Sequence, residues 1–143
     1  MKVLSLVALA LAGVAVESRP PAAEQATTER NKAVVRYVFE GAWNAERFDS
    51  LVVVWAPDVQ FHVHGRTSTV APSAVRSQVA NWRRAFGDFR FTIHELVAEG
   101  DRVAARLTFA GTHRARFMGI DSTGRSVSVT QMMFFRLVDG RVV

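Results

Sequence analysis

The chain has 143 residues, 49% of them hydrophobic and 22% charged, which suits one globular domain. It contains no cysteine, so disulfides, thiolate nucleophiles and cysteine-ligated zinc are excluded. Its formal charge of +5 comes from scattered arginines (Arg36, Arg47, Arg66, Arg76, Arg90, Arg106, Arg125), with Arg83-Arg84 the longest cluster, and this scatter argues against nucleic-acid binding.

Lys2 precedes an apolar run from Val3 to Val16, too short to span a bilayer comfortably and of the length of a signal-peptide core. Gly13 and Ala15 offer a cleavage site. Residues 1–16 are therefore expected to be an export signal, leaving a periplasmic or secreted protein with no stable membrane insertion. Residues 17–27, rich in proline and alanine, are expected to be a linker, and residues 28–143 the folded domain.

A helix is expected from a cap at Thr27 or Thr28, with Val34, Val35, Val38, Phe39, Ala42 and Trp43 on one face. Asn44-Ala45 breaks it. Residues 46–55 suggest a second helix ended by Pro57, although Val52-Val53-Val54 suits a strand equally well. Residues 58–65 (DVQFHVHG) alternate as a strand, and 66–71 are expected to be loop. A third helix starts at Pro72-Ser73 with Ser73 as cap, buries Val75, Val79, Trp82 and Phe86, and stops at Gly87-Asp88. Strands then follow over 89–99, 102–117 and 125–138, joined by a Gly100-Asp101 turn and the loop 118–124. Asp139-Gly140 makes a last turn, and Arg141 opens a strand expected to be cut short at Val143, leaving 125–138 as an exposed edge.

Helices first and long antiparallel strands afterwards give an α+β domain, a curved sheet wrapped around two or three N-terminal helices. Odd positions from Val103 to His113 share one face, as do Val127, Val129, Gln131, Met133, Phe135 and Leu137. Each face is apolar except for one polar group, His113 on the first and Gln131 on the second. Such walls line pockets for small apolar molecules. Trp43, Phe61, Trp82, Phe109, Phe117, Met118, Met133 and Phe135 are the expected lining, with core packing as the competing role.

An imidazole at His113 can act as a base near neutral pH. His62 and His64 are two apart on a strand, a metal-chelating spacing, but with no certain third ligand the expectation is no metal. Glu95 shares parity with Phe89, Phe91 and Ile93, so it either reaches the cavity as a carboxylate or is solvated near its strand's end; the solvated placement is the one favoured. Met132 and Phe134 face the other way and offer a surface for a homodimer.

The order of elements, with Gly111-Thr112-His113, Phe117–Ile120 and Thr123–Arg125 as the most specific pieces, resembles the SnoaL-like polyketide or ester cyclases. These belong to the cone-shaped superfamily named for nuclear transport factor two, with a cystatin-like roll. The resemblance covers about residues 31–143. It implies cofactor-free acid/base chemistry, an aldol-type cyclisation in the cone cavity. It places the family histidines at His113 and His62, with Gln131 nearby to hydrogen-bond substrate. The family carboxylate falls at Met133, which cannot transfer a proton. Two functions follow: a cyclase or isomerase acting on a small apolar carbonyl compound, or an exported pocket protein that binds an apolar molecule without turning it over.

Overall fold

A computed structural model describes residues 21–143, so the expected signal at 1–16 and the first part of the expected linker lie outside the described residues. The first helix, α1 (Ala22–Arg36), starts five residues before Thr27, inside the expected linker. The Thr27 and Thr28 hydroxyls do not cap it: they donate back to the carbonyls of Ala23 (3.0 Å) and Gln25 (2.9 Å) within the helix. The chain continues as a wider π-helical segment, Tyr37–Asn44, in which Gly41 admits the Tyr37 ring, since a Cβ there would lie 2.6 Å from it. Val35, Val38, Phe39, Ala42 and Trp43 are buried, the spacing of one helical face.

The second helix is a single turn, α2 (Leu51–Val54), rather than the expected ten residues. Three successive valines are poor helix formers, and Val52 and Val53 stay exposed while Trp55 turns extended and is buried. β1 (Val59–Val63) is the expected strand, but 66–71 is not loop: Arg66–Val70 form β2, paired antiparallel with β1. His64 and Gly65, both at positive φ (50° and 74°), make the two-residue turn between them. Polar threonines at 67 and 69 hid this strand, yet they are β-branched and suit it.

α3 (Pro72–Ala85) begins at its proline, with Ala71 rather than Ser73 in the capping position. The chain then passes directly into β3 (Phe86–Glu99), so Gly87-Asp88 is not a stop but part of a bulged strand opening. Asp88, at φ 52°, turns its carboxylate to accept from the Thr112 N–H and hydroxyl, both at 3.2 Å. β4 (Arg102–His113) and β5 (Ser126–Val138) follow, shorter than expected at their loop ends, and β6 (Arg141–Val142) closes the order β3-β4-β5-β6. Bulges between Gly87 and Arg90 and between Ile93 and Glu95 curl the sheet around the helices. The fold is α+β: helices followed by a strongly curled antiparallel sheet. Among the described residues no helix is long and apolar enough to cross a membrane.

Asn44 ties the helical layer to the sheet. Its amide donates to the Phe91 carbonyl and its oxygen accepts the Phe91 N–H, both at 2.8 Å, so it covers the outer edge of β3. Arg83 of α3 donates to the carbonyls of Trp43 and Asn44, satisfying the end of the same helical segment. Asn44→Ala strands the Phe91 backbone groups and is expected to lower stability by about 1–3 kcal/mol in urea unfolding. An unchanged midpoint would show that water satisfies this edge.

Candidate functional site

β4 and β5 hold the sequence's two polar candidates on one concave surface, but at different places along it. Gln131 pairs with Leu107, whereas His113 lies six residues further along β4. At the strand rise this separates them by about 20 Å. The groove that Gln131 lines does not include His113.

At the His113 end, the strand closes beneath aromatic rings. Val103, Ala105 and Leu107 are fully buried, and His113 remains 6% exposed. Its ring lies against Phe86, 5.3 Å between centroids at 32°. Gly111 makes that contact feasible, since a Cβ there would stand 2.9 Å from the Phe86 Cβ. The Nδ1 atom is 3.1 Å from the Thr123 hydroxyl, and Nε2 is buried without a hydrogen-bond partner. If Thr123 donates to Nδ1, Nε2 carries the proton and can donate to a carbonyl oxygen. If Nδ1–H donates to Thr123, Nε2 presents a lone pair and can act as a base. The loop around the ring is pinned by its backbone: His113 N–H donates to the Arg125 carbonyl and its carbonyl accepts from Gly124, each at 2.9 Å. Neither Thr123 nor Phe86 was expected beside His113: Phe86 was expected on the buried face of the third helix and instead opens β3. Thr123 opens the quoted Thr-Gly-Arg motif, which was the available signal.

The expected lining residues divide. Trp43, at 9% exposure, and Phe109, at 4%, are core, not pocket. Trp43 stacks on Phe89 at 5.8 Å, and Phe109 meets Trp82 and Phe86 edge-on, each at 5.1 Å. Trp82 and Phe117 are half-buried at the rim of this cluster, 4.9 Å apart, and lead toward His113. Met118 is a correction: it sits 87% exposed at the tip of a tight turn closed by reciprocal Phe117–Ile120 backbone bonds of 2.9 Å. Met118 and Gly119 both have positive φ, 48° and 85°, so the Phe-Met-Gly-Ile piece encodes a two-residue turn.

The other end is an open groove of about 580 Å³ between β1 and β5. Of the residues named from sequence, Phe61, Met133, Phe135 and Gln131 line it, joined by Trp55, Gln60, Arg136 and Val142, which sequence reasoning missed because β1 and β5 meet only in three dimensions. His62 is at its rim, exposed, with Nδ1 2.8 Å from the Thr67 hydroxyl. His64 belongs to the hairpin turn, so the two histidines do not share a strand face as their spacing suggested. Glu95 is solvated, the placement favoured from sequence. The bulge after Ile93 shifts its parity and pairs it across from Arg106, 3.4 Å from that guanidinium on the outer face. The concave rows of β4 and β5 thus carry His113 and Gln131 and no carboxylate.

A family model described as SnoaL-like polyketide cyclase matches residues 32–143. The chain belongs to that family. AclR of Streptomyces galilaeus, a candidate hydroxylase, is 30% identical over 81% of this chain and 85% of its own, with a TM-score of 0.66. IdmH of Streptomyces antibioticus, a candidate polyketide cyclase, is 26% identical over 79% and 86%, at 0.65. A SnoaL-like protein from Jannaschia Sp. CCS1 is 20% identical over 80% and 81%, at 0.71, a likeness of fold. No curated protein matches the chain.

Phe86→Ala opens the shelf under His113 and is expected to cost about 3–5 kcal/mol of stability, whereas Met118→Ser is expected to stay within about 0.5 kcal/mol. Thermal melts of the two variants side by side test this assignment. Equal losses would place Met118 in the packed wall. Glu95→Gln removes only an exposed pair and is expected to cost no more than about 1 kcal/mol.

Proposed function

We propose that this SnoaL-like protein carries out cofactor-free acid/base chemistry on a small apolar carbonyl compound, with His113 as the group that moves the proton. The observation that carries this reading is the buried, unpartnered Nε2 of His113 beside an aromatic rim. A buried polar atom without a partner is costly unless a ligand completes it. Trp82 and Phe117 supply apolar faces for the substrate, and the Thr123 hydroxyl, able to donate or accept, holds the ring at Nδ1 in either tautomer. In such a step, Nε2 takes a proton from the methylene between two carbonyls. The resulting enolate attacks a second carbonyl carbon, and the imidazolium returns the proton to the new alkoxide. Membership of the cyclase family supports this class of reaction.

A second reading, binding without turnover, is favoured by Met133. That residue lines the β1–β5 groove, where Gln131 can hydrogen-bond a ligand but cannot exchange protons. On this reading the apolar molecule lies over Phe61, Met133 and Phe135.

Solvent deuterium exchange into the methylene of a 1,3-dicarbonyl ester, followed by proton NMR, separates the two. Exchange by the natural protein that drops by about 10²–10⁴-fold in His113→Ala is the expected result. Exchange confined to Met133→Asp would mean that the groove, not His113, is the reacting site. No exchange from any folded variant, with ester binding weakened by Phe61→Ala, would establish the binding reading.

A further inference from the structure

One cation beside His113 takes no part in the chemistry assigned above. The β4–β5 register runs through Gly111–Val127 and Thr112–Ser126, so one step further Arg125 stands opposite His113. Cross-strand partners share a face, with Cβ atoms about 5 Å apart. Arg125 is therefore in line with the concave row that continues through Val127, Val129 and Gln131. A bulge sets it there. Gly124, at φ 66°, and Arg125 both oppose His113: the Gly124 N–H donates to the His113 carbonyl and the His113 N–H to the Arg125 carbonyl, each at 2.9 Å. The Arg125 N–H reaches the Thr123 hydroxyl at 3.4 Å, the same oxygen that lies 3.1 Å from His113 Nδ1. Its backbone is thus fixed to the ring it faces.

The guanidinium is unpaired. Residues 114–125 carry three arginines against one aspartate. Arg116 pairs with that aspartate, Asp121, at 3.5 Å, and Arg114 packs on Gly87, where an added Cβ would meet it at 2.7 Å. Arg125 is exposed, and among the described residues no carboxylate pairs with it. Across the strand from it, His113 is 6% exposed, with Nδ1 turned to Thr123 and Nε2 left without a partner. A ligand thus has two things to satisfy here, a buried nitrogen and a charged fork. A guanidinium matches a planar carboxylate with two parallel hydrogen bonds.

We infer that Arg125 holds a carboxylate on the substrate of the His113 site, so that the compound is an oxo acid. Its apolar body lies over Trp82 and Phe117, its acidic methylene meets Nε2, and its carboxylate is a few bonds away at Arg125. The methylene rests on the acid/base reading of that site; the charge rests on Arg125. The carboxylate is held and not consumed. It fixes which end of the molecule meets the imidazole and favours an acid over a neutral or cationic analogue of the same shape.

Three acetoacetate esters, alike except for their tails, test this: 2-carboxyethyl, 2-carbamoylethyl and 2-(trimethylammonio)ethyl. Binding to the full chain is measured by saturation-transfer NMR, and deuterium exchange into the methylene alongside it. The carboxylate ester is expected to bind and exchange at least about tenfold better than the carbamoyl ester. Arg125→Gln is expected to erase that ratio, and Arg125→Glu to turn the preference toward the ammonium ester. Arg66→Gln, which removes an equal charge from the β1–β2 hairpin, is expected to keep it. Equal binding of the three esters, or no binding of the carboxylate ester, would overturn the inference with the natural protein alone, whether or not a variant folds. So would a carboxylate preference that survives Arg125→Gln, or one lost equally in Arg66→Gln. A binding preference that follows Arg125 without any exchange supports the carboxylate site and sinks only the acid/base reading.

Discussion

The structure depends on β4. It has a full-length partner on each side, and its odd residues are sealed beneath the helical layer, with Val103, Ala105 and Leu107 wholly buried. A one-residue slip would drive that entire row into water and bring arginine, threonine and alanine inward. Its register is therefore fixed, and every strand paired to it inherits a fixed address. Gln131 opposite Leu107 and Met133 opposite Ala105 follow from that.

The two flanks of the sheet handle their edges differently. At β3, the Asn44 amide covers the Phe91 backbone groups, and Arg83 satisfies the carbonyls behind it. Helix, strand and α3 thus meet at one hydrogen-bonded corner, with Trp43 packed on Phe89 beside it. At β5 only the last two residues gain a partner from β6. The compact, aromatic-filled half of the molecule lies toward the first flank and the open groove toward the second. This asymmetry explains why the polar candidates fell into two separate places rather than one constellation.

Chemistry is divided in the same way. The closed end has a histidine with an orphaned nitrogen and a rim of rings, and the open end has an amide and a thioether. His113 on β4 and Gln131 on β5 lie at opposite ends of the sheet, about six residues apart in register. Family membership fixes the kind of scaffold, and the local residues decide what it can do.

Much of this was legible in the sequence. Alternation from 103 to 113 and from 127 to 137, the Gly100-Asp101 and Asp139-Gly140 turns, and the helical face ending at Trp43 are local patterns, and local sterics enforce them. The tight turn at Met118-Gly119 was read only as the start of a loop after a strand through Phe117, and its tip was mistaken for pocket wall. What the sequence left open was settled by contacts between distant segments. The bulge after Ile93 turns Glu95 outward to Arg106. The rings of Trp43 and Phe109 are spent on each other's neighbours. β2, a strand without apolar alternation, exists because β1 offers it a ladder. Sequence by itself determined which residues share a face in the unbroken strands β4 and β5, because there it depends only on the two-residue period of a strand. Tertiary structure alone decided which faces meet, because pairing, bulges and ring packing join residues that the chain keeps far apart.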